Sequence, residues 1–149
     1  MAEAARAASD GPLVAWEAQD GPQTALISSP VEEIFFGGAR GGGKTDCMLG
    51  DFLEHADAYG PQAIGIMFRK TRTELVETIE RSKQIYNLLG WQFHEQDKMW
   101  RAPDGARLRF AYLERDADAE AYQGHSYSRI YVEEIGNFGS EKPILKLFA

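Results

Sequence analysis

Residues 33–45, with the sequence EIFFGGARGGGKT, decide the fold of this chain. Within them, residues 38–45 match G-x-x-x-x-G-K-[ST], the pattern of a phosphate-binding loop. Successive backbone N–H groups can surround phosphate oxygens only where no Cβ intervenes, and glycine also permits the unusual dihedral angles of such a loop. The pattern therefore predicts that the chain binds a nucleoside triphosphate.

The residues of this loop have different predicted roles. The Lys44 amino group is expected to reach the β- and γ-phosphates, and the Thr45 hydroxyl is expected to ligate Mg²⁺. The helix that follows directs the positive end of its dipole at the phosphates. The predicted nucleotide-binding residues of the loop are Gly38, Ala39, Arg40, Gly41, Gly42, Gly43, Lys44 and Thr45.

The hydrophobic pattern on either side of the loop predicts strand, loop and helix in that order. Residues 34–36 form a short apolar run that suits a buried parallel strand. Residues 44–59 place apolar side chains on one helical face until Gly60 and Pro61 end the helix. Residues 63–68 then predict a second buried strand.

The next part of the chain predicts a long helix and then a β-hairpin. Thr71 and Glu74 form a capping box that opens the helix. The hydrophobic period then changes to two, and residues 98–102 and 107–113 predict two antiparallel strands across the turn at residues 103–105. Together with the strands near the loop, these elements predict an α/β fold.

Length and composition limit the class of protein. The chain has 149 residues, enough for one domain with a sizeable core, and its 44% hydrophobic and 26% charged residues are typical of a globular protein. Its single cysteine excludes a disulfide framework, and no apolar run approaches the ~20 residues of a membrane span. The net charge of −7 argues against a protein that coats DNA by attraction over its whole surface. It leaves room for a motor that touches nucleic acid through a few basic residues.

A second chemical feature lies far downstream of the loop. Residues 130–132 predict a buried strand that ends in two adjacent acids, Glu133 and Glu134. Such a pair after a phosphate-binding loop is typical of a Walker B element, in which one acid helps to hold Mg²⁺ and the next orients or deprotonates the attacking water. We therefore predict that Glu133 and Thr45 position the metal. The catalytic residues that these motifs predict are Glu134 and Lys44.

Four residues have two interpretations each. Gln23 can hydrogen-bond both edges of an adenine, or it is an exposed polar residue of a turn. Arg69, at the end of a predicted strand, can approach phosphate or DNA, although a solvated strand end is the more ordinary explanation. Arg107 and Arg109 line one face of the hairpin, where they contact nucleic-acid phosphates or, as the residue types favour, are simply solvated.

The ensemble of motifs resembles the N-terminal ATPase domain of the large terminase subunit of tailed bacteriophages. The resemblance runs over most of the chain, from residue 16 to residue 138, and the loop alone would indicate only a P-loop ATPase. The other motifs are GPQ at 21–23, FRKT at 68–71, PDGARLRF at 103–110, YQG at 122–124 and YVEEIGNF at 131–138.

This resemblance implies an activity and a set of partners. It implies an ATPase that uses Mg²⁺ and drives double-stranded DNA into a procapsid, in the cytoplasm of an infected bacterial host and without a membrane. Arg40 matches an arginine that stabilises the γ-phosphate, which makes it the third predicted catalytic residue. Gln23 matches a glutamine that contacts adenine. Glu133 stands where the family usually has aspartate. The implied partners are double-stranded DNA, the portal protein, the small terminase subunit and further copies of the chain in a ring.

The resemblance also defines the predicted architecture. It implies a three-layer αβα sandwich of the P-loop NTPase type, with a mainly parallel central sheet and a β-hairpin. Residues 1–15 are expected to be a tail or a short helix, and residues 16–149 the ATPase domain, cut after the Walker B region. The sheet is then incomplete, and the chain alone is expected to be weakly active or inactive. The alternatives are another P-loop translocase, such as a helicase, and a nucleotide-binding assembly module that does not hydrolyse.

Overall fold

The computed structural model describes residues 14–37 and 43–147. Over these ranges the chain forms helices on both faces of a five-stranded sheet. The helices are α1 (Pro22–Ile27), α2 (Lys44–Tyr59), α3 (Arg72–Tyr86) and α4 (Lys142–Leu147). The strands are β1 (Ile64–Arg69), β2 (Gln92–His94), β3 (Met99–Arg101), β4 (Arg107–Tyr112) and β5 (Arg129–Val132). Short 3₁₀ turns cover Gly60–Gln62, Asn87–Leu89, Asp116–Tyr122 and Ile135–Asn137.

The sheet is mixed, with strand order β2-β3-β4-β1-β5. β1 is central and runs parallel to both β4 and β5, whereas β2, β3 and β4 form an antiparallel meander. The α/β class is therefore confirmed, but the expected mainly parallel sheet is wrong for the described residues, because half of the strand pairings are antiparallel. The predicted hairpin is confirmed as β3 and β4, and the predicted strands at 63–68 and 130–132 are confirmed as β1 and β5.

The two long helices share one face of the sheet. α2 buries Leu49, Phe52 and Ala56 and α3 buries Leu75 and Ile79 in a core that they form with the sheet. The opposite face carries a second apolar cluster, covered by the turn Asp116–Tyr122 and by α4. The sheet is thus covered by two long helices on one face and by a 3₁₀ turn and a six-residue helix on the other.

The ends of these helices follow from local sequence. Thr71 caps α3 through its hydroxyl, which accepts the Glu74 N–H, and the Glu74 carboxylate accepts the Thr71 N–H in return. α2 ends at Gly60, whose φ of 56° a glycine adopts without steric cost. The predicted helix at 44–59 is confirmed as α2, and the predicted start of the next helix after Thr71 is confirmed as the start of α3.

The predicted strand at residues 34–36 is wrong. These residues have no strand geometry, and the side chains of Ile34 and Phe35 are 42% and 82% exposed. An apolar run becomes a strand only where a neighbour supplies hydrogen bonds. In this sheet β4 and β5 already pair with both edges of β1, and residues 34–36 do not pair with the outer edge of β5.

In the part of the chain that the structure describes, no helix is long and apolar enough to cross a membrane.

Candidate nucleotide and metal site

The candidate site lies where two parallel strands end beside the start of a long helix. Phe68 of β1 and Val132 of β5 are partners in register, so the residues that follow them, Arg69 and Glu133, lie at the same edge of the sheet. The Glu133 N–H continues the ladder by donating to the Phe68 carbonyl at 3.0 Å. The carboxyl ends of parallel strands are where open α/β sheets hold their ligands.

Thr45 and Glu133 meet at this edge. The Thr45 hydroxyl, in the first turn of α2, donates a hydrogen bond to Oε1 of Glu133. The Glu133 side chain is 6% exposed, so its carboxylate is held almost entirely by the protein. The two residues predicted to position a metal are thus brought together, although no other feature of the sequence required them to touch.

Arg69 is buried at the same edge, 7% exposed. Its Nη1 donates to Oε2 of Glu133 at 2.9 Å and to the Thr78 hydroxyl at 2.9 Å. The interpretation as a solvated strand end is therefore wrong, because Arg69 is the buried partner of the first acid. Thr78 was not singled out from the sequence, although it is a polar residue on the same α3 stripe as Leu75 and Ile79.

Glu134 adopts a left-handed backbone conformation, with φ 52° and ψ 49°. Its Oε2 accepts a hydrogen bond from the Asn137 side-chain amide at 2.7 Å and lies 3.9 Å from Nη2 of Arg69. Lys70 donates to the Asn137 carbonyl at 2.6 Å, which ties this turn to the end of β1. A non-glycine residue with positive φ is strained, and such strain concentrates at functional sites.

Gln23 braces the start of α2 from the other side. It is 4% exposed, its Oε1 accepts from the Gln19 N–H at 2.8 Å, and its Nε2 donates to the Gly43 carbonyl at 3.0 Å. Gly43 caps α2 with φ 69°. The interpretation of Gln23 as an exposed turn residue is wrong, and contact with adenine stays a prediction.

Lys44 is the first residue of α2 and is half-buried there. The remaining residues of the predicted loop lie outside the described residues, and their assignments stay predictions. They are Gly38, Ala39, Arg40, Gly41 and Gly42.

Two further residues of the first turns of α2 have structural roles. Asp46 accepts two hydrogen bonds of 2.7 Å from Arg81, which join α2 to α3 and raise the pKa of Arg81. Cys47 is fully buried, and this burial, helped by the nearby Asp51, raises the pKa of its thiol to about 11. The thiol is therefore a packing group and not a nucleophile.

The donor set at this edge fits Mg²⁺ bound together with a nucleotide. Mg²⁺ prefers oxygen ligands and usually takes one or two carboxylates, with phosphates and water completing the shell. Thr45 and Glu133 offer one hydroxyl and one carboxylate in contact with each other. Within residues 14–37 and 43–147, no cluster of three or more His, Cys, Asp or Glu side chains forms a metal cage.

Comparison with known families adds the decisive observation. A family model described as the N-terminal part of the T4likevirus-type terminase large subunit matches residues 35–146 of this chain. The chain belongs to this terminase family. The matched range contains the phosphate-binding pattern, Arg69 and the acidic pair, and membership implies a role in phage DNA packaging. No curated protein and no solved structure matches the chain.

Proposed function

We propose that this terminase chain is the ATP-hydrolysing part of a phage DNA-packaging motor, with a P-loop NTPase fold. The observation that supports this most directly is the hydrogen bond from Thr45 to Glu133. It joins the last residue of the phosphate-binding pattern to the first acid of the strand-end pair. These are the two groups that such hydrolases use to hold one metal ion.

In this proposal, residues at the start of α2 bind the nucleotide. The Lys44 amino group neutralises the β- and γ-phosphates, and the N-terminus of α2 presents its backbone N–H groups to them. Thr45 and Glu133 hold Mg²⁺, which when bound neutralises charge on the phosphate oxygens. Gln23 holds the Gly43 carbonyl, so the backbone that leads into α2 is fixed before the nucleotide arrives.

The remaining proposed roles concern the transfer step. Glu134 is the general base, whose carboxylate takes a proton from the attacking water. Asn137 and Arg69 fix the direction in which that carboxylate points. Arg40 stabilises charge on the transferring phosphoryl group through its planar guanidinium, whose forked N–H groups match phosphate oxygens.

Nucleotide titration and steady-state hydrolysis test this proposal. Lys44→Ala should raise the Kd for a fluorescent ATP analogue in Mg²⁺ at least tenfold, because the phosphates lose their main cation. Lys142→Ala, at an exposed position of α4, is the matched control and should not change it. Binding without turnover, even with DNA added to the intact motor, would instead favour a non-hydrolysing assembly module.

We further propose that one face of the hairpin contacts the phosphates of double-stranded DNA. Arg101 of β3 and Arg107 of β4 are directly paired in register, and Arg109 lies two residues further on the same face. Within the described residues the side chains of these three arginines form no side-chain hydrogen bond and no salt bridge. Like charges directly opposite each other destabilise a sheet, and here no acid compensates them. Phosphates would.

The salt dependence of DNA binding tests this contact. Arg101→Ala should weaken binding equally for different duplex sequences and reduce the slope of log K against log [salt] by about 1. Arg72→Ala changes an exposed arginine on the α3 layer, away from the hairpin face, and serves as the control. An unchanged slope in Arg101→Ala would exclude the hairpin face as a DNA contact.

Family membership also supports a proposal on assembly. We propose that copies of the chain form a ring with the portal protein and the small terminase subunit as partners. In a ring, Arg40 acts either in its own subunit or on a neighbour's nucleotide. Mixing Arg40→Ala with Glu134→Gln subunits separates the two cases, because only action between subunits restores turnover in the mixture.

A further inference from the structure

The two oxygens of the Glu133 carboxylate have different partners. Oε1 accepts the hydroxyl of Thr45, on the side of α2. Oε2 accepts Nη1 of Arg69 at 2.9 Å and lies 3.4 Å from the Thr78 hydroxyl, on the side of α3. The carboxylate therefore cannot rotate freely. Because Arg69 holds Oε2, Oε1 is the oxygen that faces the proposed metal.

Arg69 is itself held in place before it reaches Glu133. It is the last residue of the central strand, and its Nη1 also donates to the Thr78 hydroxyl at 2.9 Å. Both Arg69 and Thr78 are more than nine-tenths buried. A guanidinium fixed on a central strand and a helix gives the carboxylate a rigid support, as partners behind a ligand generally do.

Stability alone does not explain this arrangement. A buried ion pair is often no more stabilising than apolar side chains of similar volume. The Arg69 Nε is also buried and has no hydrogen-bond partner among the described residues, which carries a further cost. An arginine at this position is therefore better explained by the group that it orients, Glu133, and by its proximity to Glu134, 3.9 Å from Nη2.

We infer that Arg69 is the positioning residue of the metal site, which holds Oε2 of Glu133 so that Oε1 faces Thr45 and the cation. This inference rests on the proposed function, namely that Thr45 and Glu133 bind Mg²⁺ with a nucleotide. Arg69 does not touch the metal or the nucleotide in this role. At the metal site it acts through Glu133, and its removal should affect metal binding and leave the metal-free affinity for nucleotide almost unchanged.

The test titrates Mg²⁺ into the protein with a fluorescent ATP analogue and compares each curve with nucleotide binding in EDTA. Arg69→Met should raise the Mg²⁺ concentration at half-saturation by about 10–100-fold, the usual effect of removing a partner behind a metal ligand. Nucleotide affinity in EDTA should change less than about threefold, well under one decade of Kd. Arg69→Lys should give an intermediate shift, since a lysine keeps the charge but not the fork. Arg115→Met, at a residue 82% exposed, should change neither curve.

A double-variant cycle separates positioning from a general structural role. Glu133→Gln alone should weaken the Mg²⁺ dependence, and adding Arg69→Met to it should weaken it little further, because Arg69 acts through Glu133. The double variant also leaves no unpaired buried charge, so it remains measurable if Arg69→Met alone fails to fold. In that case the inference is decided by Arg69→Lys and by the double variant against Glu133→Gln.

The outcomes distinguish this inference from the function on which it rests. A wild-type chain that binds no nucleotide in Mg²⁺ would overturn the proposed function. A wild-type chain that binds, together with folded Arg69 variants whose Mg²⁺ dependence is unchanged, would overturn the role of Arg69 alone. Additive effects of Arg69→Met and Glu133→Gln would overturn it as well.

Discussion

The Thr45 hydroxyl donates a hydrogen bond to Glu133 across a sequence separation of 88 residues. The contact joins the N-terminus of α2 to the end of β5, two elements that the sheet places at one edge through the parallel pairing of β1 and β5. The geometry separates two carboxylates that the sequence presents as a pair. Glu133 faces Thr45 and Arg69, whereas Glu134 turns to Asn137.

Exchange of each acid for its amide should give different defects. Glu134→Gln should keep nucleotide binding and lower hydrolysis by roughly 10²–10⁴-fold, the range of a positioned general base. Glu133→Gln should instead shift the Mg²⁺ dependence of binding. The measurements are turnover in the intact motor and Mg²⁺ titration of this chain, with the exposed Glu141→Gln as control. Exchanged phenotypes would reverse the two assignments.

Gln23→Ala should affect both stability and base preference. Its amide holds the Gln19 N–H and the Gly43 carbonyl, so its loss should lower the free energy of unfolding by about 1 kcal/mol. Each amide atom keeps capacity for one further hydrogen bond, enough for an adenine edge. We therefore also expect ATP to lose its advantage over GTP in competition binding. Gln62→Ala, at an exposed position, is the control, and an unchanged ratio of the two affinities would reduce Gln23 to a brace.

Gly50→Ala should destabilise the chain, although alanine normally favours a helix interior by about 1 kcal/mol. A Cβ at position 50 would lie 2.2 Å from ring atoms of Trp16, so the indole must move off α2. Overpacking of this kind costs about 1–3 kcal/mol. Urea unfolding measures it, and Gly139→Ala, whose Cβ meets no atom within 4 Å, is the control. In a Trp16→Ala background the penalty should disappear, and a penalty that persisted there would exclude the clash.

The elements predicted correctly from the sequence are those whose signals are local. Thr71 and Glu74 cap the start of α3 without help from distant residues. The apolar residues of β5 likewise form a strand signal that can be read from the sequence directly before the two acids. The contact between Thr45 and Glu133 could be expected because both belong to recognised patterns at strand and helix ends. Local chemistry was sufficient for the start of α3 and for β5, whereas the contact across 88 residues depended on recognising two motifs.

The failures concern residues whose state depends on distant partners. Phe35 belongs to an apolar run that is 82% exposed at this residue, because no strand pairs with it. Arg69 is a charged residue at a strand end, where exposure is the usual expectation, and it is buried only because Glu133 and Thr78 satisfy it. The residues next to Phe35 and Arg69 in the sequence reveal neither the missing strand partner of Phe35 nor the buried partners of Arg69.

His55 should make the protein less stable as the pH falls below 6.5. Burial lowers the pKa of this imidazole below its usual 6.5, nearby Arg129 lowers it further, and Asp51 opposes them. The unfolded chain therefore takes up a proton first, so folding loses free energy as the pH falls from 6.5 through the folded-state pKa. Above pH 6.5 the histidine contributes no pH dependence.

Thermal unfolding between pH 4.5 and 8 measures this effect. The wild-type Tm should decline below pH 6.5, and His55→Gln should flatten that part of the decline. His94→Gln changes an exposed histidine and is the control. A Tm profile of His55→Gln that runs parallel to the wild-type profile would show that other groups, such as carboxylates, cause the decline.

The left-handed conformation of Glu134 allows a final test of whether this residue is retained for chemistry. Among the described non-glycine residues, Glu134 and Lys98 have positive φ, 52° and 47°. Glycine adopts this conformation freely, so Lys98→Gly should raise the free energy of unfolding by about 1 kcal/mol. Glu134→Gly should gain a similar amount, less the hydrogen bond from Asn137, and should abolish hydrolysis by the intact motor while nucleotide still binds. Chemical denaturation and turnover are measured on the same variants. Lys98→Gly is the control, because it should relieve backbone strain and keep full activity. Glu134→Gly should relieve strain in the same way but lose turnover. A Glu134→Gly variant that hydrolyses ATP normally would show that the strained glutamate is not the base.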